Sequence, residues 1–202
     1  MKIDGAVERI DGVMANVYLI IIEGKKVLID AGTAGGGKKI IDFLDRNNTR
    51  PDFVLITHHH ADHIGGLKEI ADRFNPEIYV PDLEIKIITG EEDPPKPRSF
   101  LGRMVTSIMK FDPVKDVKPV SKADVPGVEE MATPGHTIGS TSYIVEDLHL
   151  LFSGDAAVES GGVLKINKSF TYEINSAQRS LEIIKGMKGY RVLPGHGDPV
   201  QL

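Results

Sequence analysis

The chain has 202 residues, a formal net charge of -5 and 41% hydrophobic residues, which bounds it to one domain with a substantial core or at most two small ones. Its acidic balance speaks against the basic surface of a nucleic-acid binder, and the lack of cysteine excludes disulfides and thiolate metal sites. The start, Met1-Lys2-Ile3-Asp4, shows no apolar leader, and the longest apolar run, residues 17–22, is too short to span a bilayer, so the expected compartment is the cytoplasm.

Residues 6–10, 17–22 and 26–29 read as strands, punctuated by Gly12 and Gly24-Lys25. Ile40, Ile41, Phe43 and Leu44 recur at helical spacing and predict a helix over 38–46. Residues 53–56 form a short buried strand that runs straight into a histidine segment. Leu67, Ile70, Ala71 and Phe74 mark one face of a helix over 67–74, and 77–80 is another strand. Residues 81–126 differ: they hold Pro94-Pro95-Lys96-Pro97, many charges, and two patches of helical pattern at 83–88 and 100–109. That stretch is expected to leave the core as a lid-like insertion in an otherwise single domain. Strands return at 128–132, 142–145 and 148–152, followed by an amphipathic helix over 176–187 and a last short strand at 191–193. Strands and helices alternate in two similar halves, an α/β pattern.

Six of the seven histidines fall in three short segments: Thr57-His58-His59-His60-Ala61-Asp62-His63-Ile64-Gly65-Gly66, Pro134-Gly135-His136-Thr137 and Pro194-Gly195-His196-Gly197. Asp155, in Phe152-Ser153-Gly154-Asp155, joins them. Imidazole and carboxylate are the groups that zinc, iron and manganese accept where no thiolate is present. Each of His58, His136, Asp155 and His196 follows an apolar run and sits in a turn. Ligands at strand ends converge when those strands lie side by side. His58 and His60, two apart in an extended stretch, point the same way and suit one metal. Asp62 and His63 would start the following helix and can face a second. His59 is expected outside the ligand set, and His149 reads as an ordinary hairpin residue.

The pattern His-x-His-x-Asp-His, then Gly-His-Thr, Gly-Asp and Gly-His, resembles that of the metallo-β-lactamase-fold hydrolase superfamily, with motifs from Asp30 to His196. The resemblance implies a four-layer αββα sandwich with a two-metal site on its rim. It assigns His58, His60 and His136 to one metal, Asp62, His63 and His196 to the other, and Asp155 to the bridge between them. It places Asp30, in Leu28-Ile29-Asp30-Ala31-Gly32, behind the ligand loop as its support. The contexts of His58–His60 and His136 look like glyoxalase II and its relatives, although 202 residues leave little room for that enzyme's C-terminal helical domain.

The function expected from this resemblance is that of a dinuclear metal-dependent hydrolase with two divalent ions, zinc first and iron or manganese next. A hydroxide shared by the metals would attack a small ester, thioester or lactone, with Asp62 orienting the nucleophile or handling its proton. A phosphodiester is open to the same chemistry. The alternative class is a single-iron oxidoreductase like the persulfide dioxygenases, built on two histidines and a carboxylate. Lys165, Lys168 and Tyr172, on the segment leaving Asp155, are candidate substrate contacts. Phe100, Leu101, Met104 and Met109 are the side chains a lid would either pack on itself or turn towards a pocket. The expected partner is a small molecule, with no nucleic acid or membrane, and a homo-oligomer is possible. The run Gly32-Thr33-Ala34-Gly35-Gly36-Gly37-Lys38-Lys39 nearly spells a phosphate-binding loop, but its last position is Lys39 where Ser or Thr would hold magnesium.

Overall fold

The computed structural model describes the whole chain except Lys2, Asp4, Gly12 and residues 96–98, and it leaves the side chains of Leu101, Thr106 and Ser107 undescribed. The expected turn at Gly12, the Lys96-Pro97 part of the proline-rich stretch and the side chain of Leu101 therefore lie outside the described residues.

The first half builds β1 (Val7–Ile10), β2 (Val17–Ile22), β3 (Lys25–Ile29), α1 (Gly37–Arg46), β4 (Phe53–Leu55), α2 (Ala61–Ile64), α3 (Leu67–Phe74) and β5 (Glu77–Val80). A 3-10 turn over Asp82–Glu84 leads into α4 (Ile85–Ile88), then α5 (Phe100–Ile108) and β6 (Lys118–Pro119). The second half holds β7 (Glu129–Ala132), β8 (Thr141–Val145), β9 (Leu150–Gly154), β10 (Val158–Glu159), β11 (Leu164–Lys165), α6 (Ile174–Gly186), β12 (Arg191–Pro194) and β13 (Val200–Gln201).

One sheet runs β1-β2-β3-β4-β5-β6 and a second runs β13-β12-β9-β8-β7, with β10 and β11 as a separate hairpin. The β3–β4 and β4–β5 pairs are parallel, as is β9–β12, so each half contains crossovers that place helices outside its sheet. Three apolar clusters show the layers. Ile40, Leu44, Leu67, Ile70 and Phe74 of α1 and α3 pack on Leu28 and Val54. Tyr18, Ile20, Leu55, Tyr143 and Phe152 fill the space between the sheets. Leu181 and Ile184 of α6 cover Leu151 and Val192. The result is the αββα sandwich.

Local chemistry explains where element ends differ from the sequence reading. The last long helix begins at Ile174, ahead of the expected 176, because Glu173 caps it by accepting hydrogen bonds from the Asn175 and Ser176 amides. The strand expected at 148–152 is displaced to Leu150–Gly154. His149 sits in the left-handed region at φ 51 and closes a 3-10 turn over Glu146–Leu148, so the strand starts after it and ends directly before Asp155.

The expected excursion at 81–126 is narrower than its composition suggests. Ile88 and Val114 belong to the first core cluster, Val120 and Val125 to the inter-sheet cluster, and β6 extends the first sheet. Of its described middle, Pro94, Pro95, Val105 and Met109 stand over the rim. Among the described residues no helix is long and apolar enough to cross a membrane.

Candidate metal centre

Strands β4, β9 and β12 end on one rim of the sandwich, and hydrogen bonds from β8, the neighbour of β9, tie the second sheet to the end of β4. The Thr141 amide donates to Thr57 O at 3.0 Å, and the Tyr143 hydroxyl to Ile56 O at 2.6 Å. His58 follows β4, Asp155 follows β9, His196 follows β12, and the turn after β7 carries His136. The short helix α2, starting after His60 in extended conformation, carries Asp62 and His63.

All seven expected ligands meet there. The donor atoms of His58, His60 and His136 lie within 4.8 Å of one another, as do those of His58, His63 and Asp155, and those of Asp62, His63 and His196. His136 Nε2 is 2.9 Å from His60 Nδ1. Asp155 faces both sides: its Oδ1 is 3.4 Å from His63 Nε2, and its Oδ2 is 3.5 Å from Nε2 of both His136 and His196. His196 Nε2 lies 3.1 Å from Asp62 Oδ2.

The electrostatics separate this cluster into two characters. Burial, reinforced by neighbouring imidazoles, holds His58 and His60 well below the ordinary histidine range, and burial lowers His136 too. Both effects favour the neutral ring that metal ligation requires. His63 and His196 move the other way. Burial opposes their charge, but Asp30, Asp155 and Asp62 raise His63, and Asp62 and Asp155 raise His196. The carboxylates stay ionised against their own burial: His63 and His196 hold Asp62 down at about 2, and His63, His136 and His196 hold Asp155 well below the carboxylate range.

The residues fit divalent ions. His58 Nε2, His63 Nε2 and Asp155 Oδ1 are buried and have no hydrogen-bond partner. Buried polar atoms are normally paired, and three unpaired donors converging on one centre are what metal ligation would satisfy.

Asp30 stands behind the loop that carries His58 and His60, where the family resemblance placed it. It sits at φ 62, a region that Asp tolerates better than most residues. Its carboxylate accepts from the Thr57 amide at 2.8 Å and the Thr57 hydroxyl at 2.9 Å, and lies 2.7 Å from His63 Nδ1. Orientation of a ligating ring through its other nitrogen is a recurrent device in metal sites.

Sequence reasoning missed Glu84, which is completely buried. Its Oε2 accepts from the His59 amide at 2.6 Å and lies 3.0 Å from His59 Nδ1. Its Oε1 accepts from the Gly139 amide at 2.9 Å and from the Thr137 hydroxyl. Burial alone would raise this carboxyl, but His59, Thr137 and Gly139 hold it below the ordinary range. In the sequence Glu84 is one acidic residue in an ordinary helical patch, with no local signal. His59 stays out of the ligand groups and packs its ring beside Glu84.

A cavity of about 700 Å³ opens above the centre. His60, Asp62, Asp155 and His196 lie on its floor, and Met14, Val105, Met109, Phe111 and Phe170 form apolar walls with Pro94 and Pro95. Met109 thus turns inward, whereas Phe100 and Met104 are 82% and 50% exposed. The segment after Asp155 reaches the cavity through Asn167 and Phe170. Lys165 and Lys168 are exposed and line no described cavity; Lys165 is committed to the β10–β11 hairpin. Asn167 and Phe170, which carried no distinguishing pattern in the sequence, line the cavity from the same segment. Tyr172 borders only a small pocket beside His136. His149 stacks near Tyr190, 5.5 Å between ring centres, away from the rim.

The phosphate-loop look-alike has a packing explanation. The Gly36 and Gly37 amides already donate to Thr33 O, and a Cβ on Gly37 would stand 2.9 Å from Gly66 Cα. These glycines let α1 close against the ligand loop.

A family model described as the metallo-beta-lactamase superfamily matches residues 10–196. The chain is 32% identical to the "Probable metallo-hydrolase MJ0888" of Methanocaldococcus jannaschii, over 93% of this chain and 89% of the relative. It is 29% identical to the "Probable metallo-hydrolase YflN" of Bacillus subtilis, over 93% and 82%. Among solved structures, TTHA1623 in a di-iron-bound form superposes with a TM-score of 0.75 at 21% identity, covering 96% of this chain and 93% of that one. A match running from the first strand to the last histidine, on the αββα sandwich, settles the family: the chain belongs to the metallo-beta-lactamase superfamily.

Proposed function

We propose that this chain is a dinuclear metal-dependent hydrolase acting on a small ester, thioester or lactone with an apolar acyl group. The observation that carries the reading is the set of three interlocking donor groups on the floor of a largely apolar cavity. His58, His60 and His136 would hold one ion, Asp62, His63 and His196 the other, and Asp155 would serve both. Divalent ions there would supply Lewis acidity, bringing the pKa of water near neutrality and polarising a carbonyl oxygen. The di-iron form of a protein with the same fold supports a two-ion reading, and the relatives' names support hydrolysis.

The protein's own groups do the rest. Asp62 lines the cavity as a carboxylate and can orient water through its oxygens or accept its proton. Met109, Phe111 and Phe170 would bind the acyl group and keep bulk water from the floor. On this reading the 81–126 insertion acts as a lid through Pro94, Pro95, Val105, Met109 and Phe111. The partner is a small molecule rather than nucleic acid or membrane, and the compartment is the cytoplasm.

Elemental analysis after loading should approach two equivalents of metal. For esters of rising acyl length, kcat/KM should increase by up to about fourfold per buried methylene, and Phe111→Ala should flatten that rise while sparing the acetate. A stoichiometry fixed at one, with oxygen uptake, would favour the single-iron alternative, for which His58, His63 and Asp155 form a two-histidine, one-carboxylate set.

A further inference from the structure

We infer that Glu84 is a positioning residue that clamps the two ligand loops of the metal centre to each other, one from each half of the fold. The inference rests on the metal reading above and adds a residue that belongs to none of the donor groups.

The two loops have no common parent strand. His58 and His60 come from the loop after β4, in the first sheet. His136 comes from the turn between β7 and β8, in the second. Yet these three rings must hold one geometry to within a fraction of an ångström to share an ion. Glu84 enters between the loops from the turn that follows β5. One oxygen holds the backbone of the first loop at the His59 amide, between His58 and His60. The other oxygen holds the second loop at two points just past His136, the Thr137 hydroxyl and the Gly139 amide. The residues flanking the ligands are therefore bound to the two ends of a single carboxylate.

Two further observations show that the surroundings are shaped to this carboxylate. Ser140 Oγ accepts from the Thr137 amide at 2.9 Å and lies 2.7 Å from the Thr137 hydroxyl, which aims that hydroxyl at Glu84. Glycine at position 139 lets the Glu84 side chain pass: a Cβ there would stand 2.6 Å from Glu84 Cγ. No positive φ accompanies that glycine, so its lack of a side chain serves this close approach rather than a turn. A fully buried carboxylate is expensive unless every oxygen is engaged. Among the described residues every hydrogen bond to it comes from a loop that carries proposed ligands, and none comes from the core.

The geometry also defines the substitution. Glutamine has nearly the same volume but presents an NH2 to one of the two sets of donors, so one loop must let go while the core stays filled. The test is a titration of the chelator-treated full chain with cobalt(II), read by its visible absorption and by competition with a chromophoric chelator. Glu84→Gln should weaken cobalt binding by about 10–100-fold, the range for groups that orient ligands from behind, and should change the shape of the absorption band. Gly139→Ala should do the same by displacing Glu84. Thr137→Val should weaken binding, and Thr137→Ser, which keeps the hydroxyl, should restore it. Far-UV circular dichroism of each variant checks the fold. Should Glu84→Gln fail to fold, Gly139→Ala and the Thr137 pair decide the matter. Wild-type affinity and band shape in the folded variants would overturn the inference and leave Glu84 a packing residue. A wild-type chain that binds no cobalt would overturn the metal centre itself, and the inference with it.

Discussion

Replacing Asp30 by alanine removes the support behind the loop that carries His58 and His60 and should be among the most damaging single changes available outside the proposed metal ligands. Three donors lose their acceptor. The Thr57 hydroxyl can turn to His58 Nδ1, 3.0 Å away, but the Thr57 amide and His63 Nδ1 are buried with nowhere else to go. Two orphaned donors, plus alanine forced into the left-handed region that Asp30 occupies, add to a loss of about 3–5 kcal/mol. Asn at this position tolerates that backbone and still accepts from the Thr57 amide, so Asp30→Asn should lose only about 1–2 kcal/mol. The loss should depend on pH. Burial lowers the His63 pKa and the carboxylates of Asp30, Asp155 and Asp62 raise it, with a net rise well above the ordinary value. A raised histidine stabilises the fold fully below its unfolded pKa of about 6.5 and loses that contribution as the pH climbs through the folded value. Asp30→Ala takes away the first of these carboxylates, so the gap from wild type should be widest near pH 6 and narrower near pH 9. Urea unfolding of chelator-treated protein, followed by far-UV circular dichroism, measures both. A loss below about 1 kcal/mol, well under the range for a broken buried pair, or a gap that grows with pH, would refute the role assigned to Asp30.

Two further outcomes follow from the rim. A Cβ on Gly195 would press on the Asp155 carboxylate and stand 2.7 Å from His63 Cε1. Gly195→Ala should therefore lower bound metal, measured by elemental analysis, more than it lowers the unfolding midpoint of the chelator-treated chain; unchanged metal content would show that the rim is looser than its packing implies. Asp62, held at about 2 by His63 and His196 against its burial, stabilises the fold above its unfolded pKa of about 4 and loses that contribution as the pH falls through about 2. The stability difference between wild type and Asp62→Asn should shrink steadily over that interval, and a difference constant down to pH 2 would contradict the assignment.

The parts of this protein that depend on neighbours in sequence were legible without the structure. Periodic apolar residues place α1 and α3, and runs of β-branched residues place β2 through β5, because both patterns are set by backbone repeat and solvent alone. The candidate ligands were legible for a similar reason: His58, His136, Asp155 and His196 each follow an apolar run, and His60, Asp62 and His63 lie within five residues of His58, so the pattern is written in a few adjacent letters. The two-residue strands β6, β10, β11 and β13 were not, since two residues carry no period. Nor was the shift of β9, which follows from a left-handed His149 that the sequence does not distinguish from its neighbours.

Only the tertiary structure decided what meets across the sheets. That Asp155 Oδ1 faces His63 while Oδ2 faces His136 and His196 is a consequence of strand order and register, which no local pattern encodes. The same holds for Asn167 and Phe170 reaching the cavity, and for Ile88, Val114, Val120 and Val125, which join core clusters from a segment whose composition reads as a loop. Glu84 is the sharpest case: an acidic residue beside Leu83 and Ile85 is ordinary on any helix, and its burial becomes intelligible only when His59, Thr137 and Gly139, distant in sequence, arrive to bind it. Local sequence determines which groups are offered at each strand end; the packing of two sheets determines which of them face one another.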